Sequence, residues 1–141
     1  MTLYLDTSLL VAALTNEPET ERIQVWLSTQ DEQALMISEW VVTEFSSALS
    51  IKVRSGQIEA QDQTAALAMF RQIAAQSFTF IPVMGEHFRI AARFAERYEL
   101  GLRAGDALHL ALASEHGVTL CTLDRKLAAA GAAFATSTRL I

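Results

Sequence analysis

Four acidic side chains, Asp6, Glu44, Asp106 and Asp124, stand where a carboxylate has chemistry to do if the fold brings them together. Carboxylate oxygens are hard donors, and a group of them holds Mg2+ or Mn2+, at about 2.0–2.1 Å for Mg2+. A divalent ion so held orients a phosphate, polarises a P–O bond and lowers the pKa of an attacking water. Two ions about 3.5–4 Å apart stabilise both the entering and the leaving oxygen. The ions also reverse the local field. That matters here, because a net charge of −5 and a pI of about 5.1 have the wrong sign for gripping nucleic acid through a basic surface.

Each acid also has a purely structural use. Asp6 ends the run Leu3-Tyr4-Leu5, at the carboxyl edge of a strand expected to be central, where an aspartate equally serves as a helix N-cap. Asp124 repeats the arrangement after Val118–Leu123 and could cap a helix starting at Arg125. Glu44 falls three residues after Val41 and four before Ala48, on the border of an apolar helical stripe. A solvated glutamate is the ordinary outcome, yet an acid beside a core-facing stripe is costly unless paired or metal-bound. Glu39, in the first turn of the same helix, has a sufficient role against the helix dipole. Asp106 opens the stretch Gly105–Ala113, apolar nearly all round and so a buried helix, where capping is again the alternative. His109, one turn later, is expected as a core histidine or a support for the acids rather than a catalytic base. His87 and His116 give no signal.

The elements that must position these side chains follow from apolar periodicity and turn residues. Strands are expected at Thr2–Leu5, Ala34–Ile37, Phe78–Ile81 and Val118–Thr122, with a last edge strand at Ala133–Ala135. Helices are expected at about Ser8–Leu14, Pro18–Thr29, Glu39–Arg54, Glu59–Ala75, Glu86–Tyr98 and Asp106–His116, with a short one after Asp124. Thr7 or Ser8 is expected to cap the first helix and Ser38 the third. Short apolar runs alternating with longer helical patterns predict an α/β fold around a parallel sheet. In such sheets ligands bind beyond the carboxyl ends of the strands, at a switch point.

The length of 141 residues fits one domain, large enough to bury roughly two-thirds of its unfolded surface without disulfides or a structural metal. Hydrophobic residues make up 51%, rich for a soluble monomer, so part of the apolar surface is expected at a subunit or partner interface. Cys121, the one cysteine, lies in an apolar run and is expected to be a buried hydrophobe. The N-terminus has no basic stretch or small-residue cleavage site, and no apolar run is long enough to span a bilayer, so a cytoplasmic location is expected.

Four segments in order resemble the PIN-domain ribonucleases, especially the toxin subunits of VapBC-type toxin–antitoxin pairs. They are Tyr4-Leu5-Asp6-Thr7-Ser8, Trp40-Val41-Val42-Thr43-Glu44-Phe45, Arg103-Ala104-Gly105-Asp106-Ala107-Leu108-His109-Leu110-Ala111 and Thr122-Leu123-Asp124-Arg125-Lys126-Leu127. The resemblance implies a three-layer α/β/α domain with a mostly parallel, roughly five-stranded sheet. It implies Mg2+- or Mn2+-dependent cleavage of RNA, often tRNA or rRNA, with homodimerisation and inhibition by a small antitoxin covering the acidic site. Asp6, Glu44, Asp106 and Asp124 match the family's acidic positions, and Ser8 and Thr122 its accompanying polar ones. Arg103 and Arg125, which flank the acids, are the first candidates for RNA phosphates among Arg22, Lys52, Arg54 and Lys126.

Two other enzyme classes fit less well. A haloacid-dehalogenase-like phosphatase also uses an Asp ending the first strand, but needs a second Asp where this chain has Ser8. A receiver domain needs an acidic pair near the first strand and a Lys after a late one, and neither is present. A non-catalytic PIN-like module that binds RNA or protein is the alternative outside enzymes.

Overall fold

Strand β1 (Leu3–Leu5) is buried along its whole length, and its neighbours on either side are β2 (Leu35–Ser38) and β4 (Thr119–Thr122). β3 (Thr79–Ile81) lies outside β2 and β5 (Thr138–Leu140) outside β4, giving the order β3-β2-β1-β4-β5. Every pairing is parallel, in the computed structural model of residues 1–141. Parallel neighbours need crossovers, and seven helices provide them. α1 (Thr7–Leu14) and α2 (Thr20–Ser28) join β1 to β2; α3 (Glu39–Arg54) and α4 (Ala60–Ser77) join β2 to β3. α5 (Gly85–Ala95) and α6 (Ala104–His116) carry the chain from β3 back to β4, and α7 (Arg125–Ala130) leads to β5.

The strand order grows outward from β1 in one direction, then restarts at β4 in the other. Right-handed crossovers therefore put helices on both faces, the three-layer α/β/α arrangement, and open a crevice at the carboxyl ends of β1 and β4. The helices nearest that crevice are the most apolar. Leu9–Ala13 of α1 and Ala107–Ala113 of α6 are buried without a break, as expected of helices sealed into a core. α6 ends at Gly117, whose φ of +63° supplies the left-handed closing residue that glycine adopts without strain.

The structure corrects several boundaries. Ala133–Ala135 is not a strand: the alanines of α7 run on into a 3-10 turn at Gly131–Phe134, and the edge strand is Thr138–Leu140. Alanine favours helix, whereas a β-branched threonine suits a pleated edge. Gly131 makes the return possible, since a Cβ there would lie 2.4 Å from Thr138 Cγ2 and 2.7 Å from the Thr136 carbonyl. Pro18 precedes α2 rather than opening it, and α5 stops at Ala95, followed by a separate 3-10 turn at Tyr98–Leu100. α6 begins at Ala104, two residues earlier than expected. The sheet is wholly, not mostly, parallel.

Candidate active site

Asp6 follows β1 directly and its carboxylate is almost wholly buried. Oδ1 accepts hydrogen bonds from Ser8 Oγ at 2.5 Å and from the Leu9 amide at 3.4 Å, so Asp6 is indeed the N-cap of α1. Oδ2 accepts from Thr122 Oγ1, across the seam between β1 and β4. The same hydroxyls continue outward: Ser8 Oγ accepts from the Leu123 amide at 3.1 Å, and Thr122 Oγ1 from the Asp124 amide at 2.9 Å. Asp124 in turn caps α7, accepting from Lys126 and Leu127 amides through Oδ1. Burial raises the Asp6 pKa above its ordinary value, against the opposing influence of His109 and of the hydroxyl and amide donors.

Glu44 reaches the crevice from α3 and is held on one oxygen. Thr7 Oγ1 donates to Oε1 at 2.7 Å, and His109 Nε2 contacts the same atom. An ionised carboxylate only accepts, so Nε2 carries the proton of that bond. On the far side of the ring, Nδ1 meets the Tyr4 hydroxyl at 2.8 Å, which meets Ser38 Oγ at 2.8 Å. Tyr4, Ser38 and His109 are all buried, and burial drives the Tyr4 phenol far above its ordinary pKa, so it stays neutral. Burial would raise the Glu44 pKa, but the His109 hydrogen bond and charge, with Thr7, outweigh it and lower the net value. Ser38 thus spends its hydroxyl on Tyr4; it stands at the N-cap of α3 without making the side-chain cap expected of it.

Asp106 lies in the first turn of α6, where the helix dipole favours a negative charge. It is no cap: Arg103 occupies that position, and the Asp106 carboxylate accepts no hydrogen bond from the protein. Burial, then the charges of Asp124, Asp6 and Glu44, raise its pKa, with His109 opposing. Glu44, Asp106 and Asp124 line one cleft of about 580 Å³ together with Trp40, Arg103, Gly105 and Lys126. Gly105 is required there, because a Cβ would stand 2.6 Å from Glu44 Oε2 and 3.4 Å from Trp40 Nε1. Neither Arg103 nor Lys126 enters any of the protein's ion pairs, which are Arg22–Glu19, Lys52–Glu17, Arg97–Glu99 and His109–Glu44.

Four elements thus deliver the four expected acids to one sheet edge, three lining the cleft and Asp6 buried beneath, tied to Asp124 through Thr122. The donors fit a hard divalent ion: all are carboxylates, and Asp106 is unengaged and destabilised as an anion by burial and by the neighbouring acids. No group of three or more His, Cys, Asp or Glu side chains stands gathered around a single point; Asp6, Glu44 and Asp124 are each hydrogen-bonded to the scaffold. Ser8 and Thr122 bond to Asp6. Arg103 lines the cleft, but Arg125 borders a neighbouring depression, and Lys126 takes the place beside the acids. Tyr4, Thr7 and Trp40 carry no functional signal of their own in the sequence; only the helical spacing of Trp40 four residues before Glu44 points to it. Cys121 is buried, which pushes its thiol up to about 11, and His87 spends Nδ1 accepting from the Met84 amide at 2.9 Å.

Comparison with known proteins agrees with this architecture. None of the curated proteins matches the chain. Among solved structures, the sarcin-ricin-loop-cleaving toxin VapC20 of Mycobacterium tuberculosis superposes with a TM-score of 0.74 at 19% identity, over 92% of this chain and 95% of that one. The FitAcB structure from Neisseria gonorrhoeae gives 0.69 at 18% identity, covering 97% and 96%. VapBC2 of Rickettsia felis, solved bound to a fragment of promoter DNA, gives 0.63 at 17%, covering 99% and 98%. At these identities the likeness establishes the fold. The family model of the PIN domain matches residues 3–133, almost the entire chain, and the protein therefore belongs to the PIN-domain family.

Proposed function

We propose that the protein is a Mg2+- or Mn2+-dependent endoribonuclease, the toxin of a type II toxin–antitoxin pair acting on tRNA or rRNA in the cytoplasm. The observation that carries the reading is the cleft: three carboxylates from three separate elements line it above buried Asp6, with two unpaired cations on its wall. Asp6, Glu44, Asp106 and Asp124 are the residues to hold the metal, which when bound supplies phosphate polarisation and an activated water. Ser8 and Thr122 fix Asp6, while Thr7 and His109 fix Glu44, so the acids keep their places against mutual repulsion. Arg103 and Lys126 on the cleft wall, with Arg125 in the neighbouring depression, are the cations to take the phosphates flanking the scissile one.

The same acidic cleft suits the basic side chain of a small antitoxin. Exposed Val25, Ile51, Met69 and Met84 supply apolar surface for that partner and for a second copy of the chain. No helix is long and apolar enough to cross a membrane. The test is incubation of purified protein with total cellular RNA, in millimolar Mg2+ or Mn2+ and in chelator. Discrete new fragments are expected with metal alone. Identical RNA profiles under both conditions count against the nuclease and favour a PIN domain that binds without cutting.

A further inference from the structure

Trp40 borders two cavities. One is the acidic cleft; the other is a recess of about 230 Å³ between α3, α5 and α6, lined only by apolar residues including Phe88, Ala91, Ala95, Ala104 and Leu108. Ala104 directly precedes Gly105 of the cleft, so the two cavities adjoin along the start of α6. Phe88 is 54% exposed, an aromatic side chain left uncovered at the recess. The indole edge of Trp40 lies against Gly105, and its Nε1–H is the one buried side-chain polar atom in the molecule without a partner.

We propose that this recess is a nucleobase subsite, which holds a base of the RNA next to the phosphate bound in the acidic cleft; the proposal rests on the nuclease reading above. A lining of two aromatic side chains with alanines suits a flat ring, because every base has a π-face that stacks on such side chains. No charged group lines the recess, so it does not compete with the cleft for phosphate. The adjoining acidic cleft argues for a nucleotide over an aliphatic side chain of a protein partner, because a phosphate held at the acids brings its own base to the neighbouring recess.

The test uses the full chain carrying Trp26→Phe, which leaves Trp40 as the only tryptophan, and Ca2+ in place of Mg2+ to separate binding from cleavage. The probes are single-stranded tetraribonucleotides of each base and an abasic ribose-phosphate tetramer of equal charge. Base-bearing probes are expected to quench Trp40 fluorescence and to bind about tenfold more tightly than the abasic one, within the range for one stacked base. Phe88→Ala should abolish that advantage without changing the melt, since Phe88 is exposed. Trp40→Phe, scored by anisotropy of labelled probes, keeps a ring but offers a smaller stacking face and should reduce it a few-fold. Equal binding of both probe types, no binding of either, or an advantage that survives Phe88→Ala overturns the subsite. Base-selective binding of RNA that then survives Mg2+ and Mn2+ intact overturns the nuclease instead and leaves the subsite standing.

Discussion

Replacing Gly105 by alanine sets a methyl carbon 2.6 Å from Glu44 Oε2, where ordinary contact begins at 3.4 Å. The oxygen must therefore retreat by about 0.8 Å, the gap between those two distances. A free glutamate would swing aside at no cost, but this one is tethered through Oε1 to Thr7 and His109. The displacement thus falls on the cleft-facing oxygen that the proposed function assigns to metal. A shift of most of an ångström at a catalytic group, or loss of its orientation, costs on the order of 10–100-fold in activity or metal affinity. Folding should barely register the change. Alanine in place of a helical glycine contributes about 1 kcal/mol, offset by the strain at Glu44, so the melting temperature should stay within about 2–4 °C of wild type. The assay pairs kcat/KM for RNA cleavage with a thermal melt titrated against Mn2+. In Glu44→Gln the further loss from Gly105→Ala should be small, because the effect acts through that carboxylate. Wild-type cleavage by Gly105→Ala, or full additivity with Glu44→Gln, would refute the reasoning.

Asp6→Asn, Glu44→Gln, Asp106→Asn and Asp124→Asn should each remove most cleavage while preserving the circular-dichroism spectrum; wild-type activity in three of the four defeats the assignment. Asp106 and Asp6 have raised native pKa values, so the native state binds more protons than the unfolded chain there. Without metal, the melting temperature should rise as pH falls from neutral through those native values, until acid also protonates Glu44, whose lowered pKa stabilises only above it. Asp106→Asn should melt higher than wild type in chelator and gain less from added Mg2+, since the ion binds the native site preferentially; a lower melt in chelator would contradict a repelling site. Tyr4→Phe strands His109 Nδ1 and Ser38 Oγ in the core and should cost about 1–3 kcal/mol by denaturant titration, with an unchanged midpoint counting against the network. Light scattering at micromolar concentration should give a homodimer, and a monomer there removes that part of the proposal.

Much of the architecture was legible because it rests on short-range signals. Apolar runs of three or four residues ending in Asp6, Ser38 and Asp124 mark strands, and the alternation with helical patterns leaves a parallel sheet as the economical arrangement. Local signals made each of the four acids a candidate, with helix capping or solvation as the alternative, and the resemblance to the PIN-domain family singled out the set. Where local signals compete, the reading failed, as in the alanine-rich Ala128–Ala135, where helical propensity and Gly131 prevailed over a last-strand pattern. The amino-acid sequence by itself determined the types of element and the core helices, and put forward the four carboxylates as candidates.

Only the tertiary structure decided how those carboxylates differ. Asp6 and Asp124 are helix caps, and a cap uses some of a carboxylate's lone pairs and leaves the rest for the proposed site. Glu44 is anchored by Thr7 and His109, partners 37 and 65 residues away in the chain, and Tyr4 joins His109 across 105 residues. Spacing along a helix or strand carries no trace of such contacts. The reversal of strand order between β1 and β4 creates them, by bringing the ends of both strands and the first turns of α3 and α6 to one crevice.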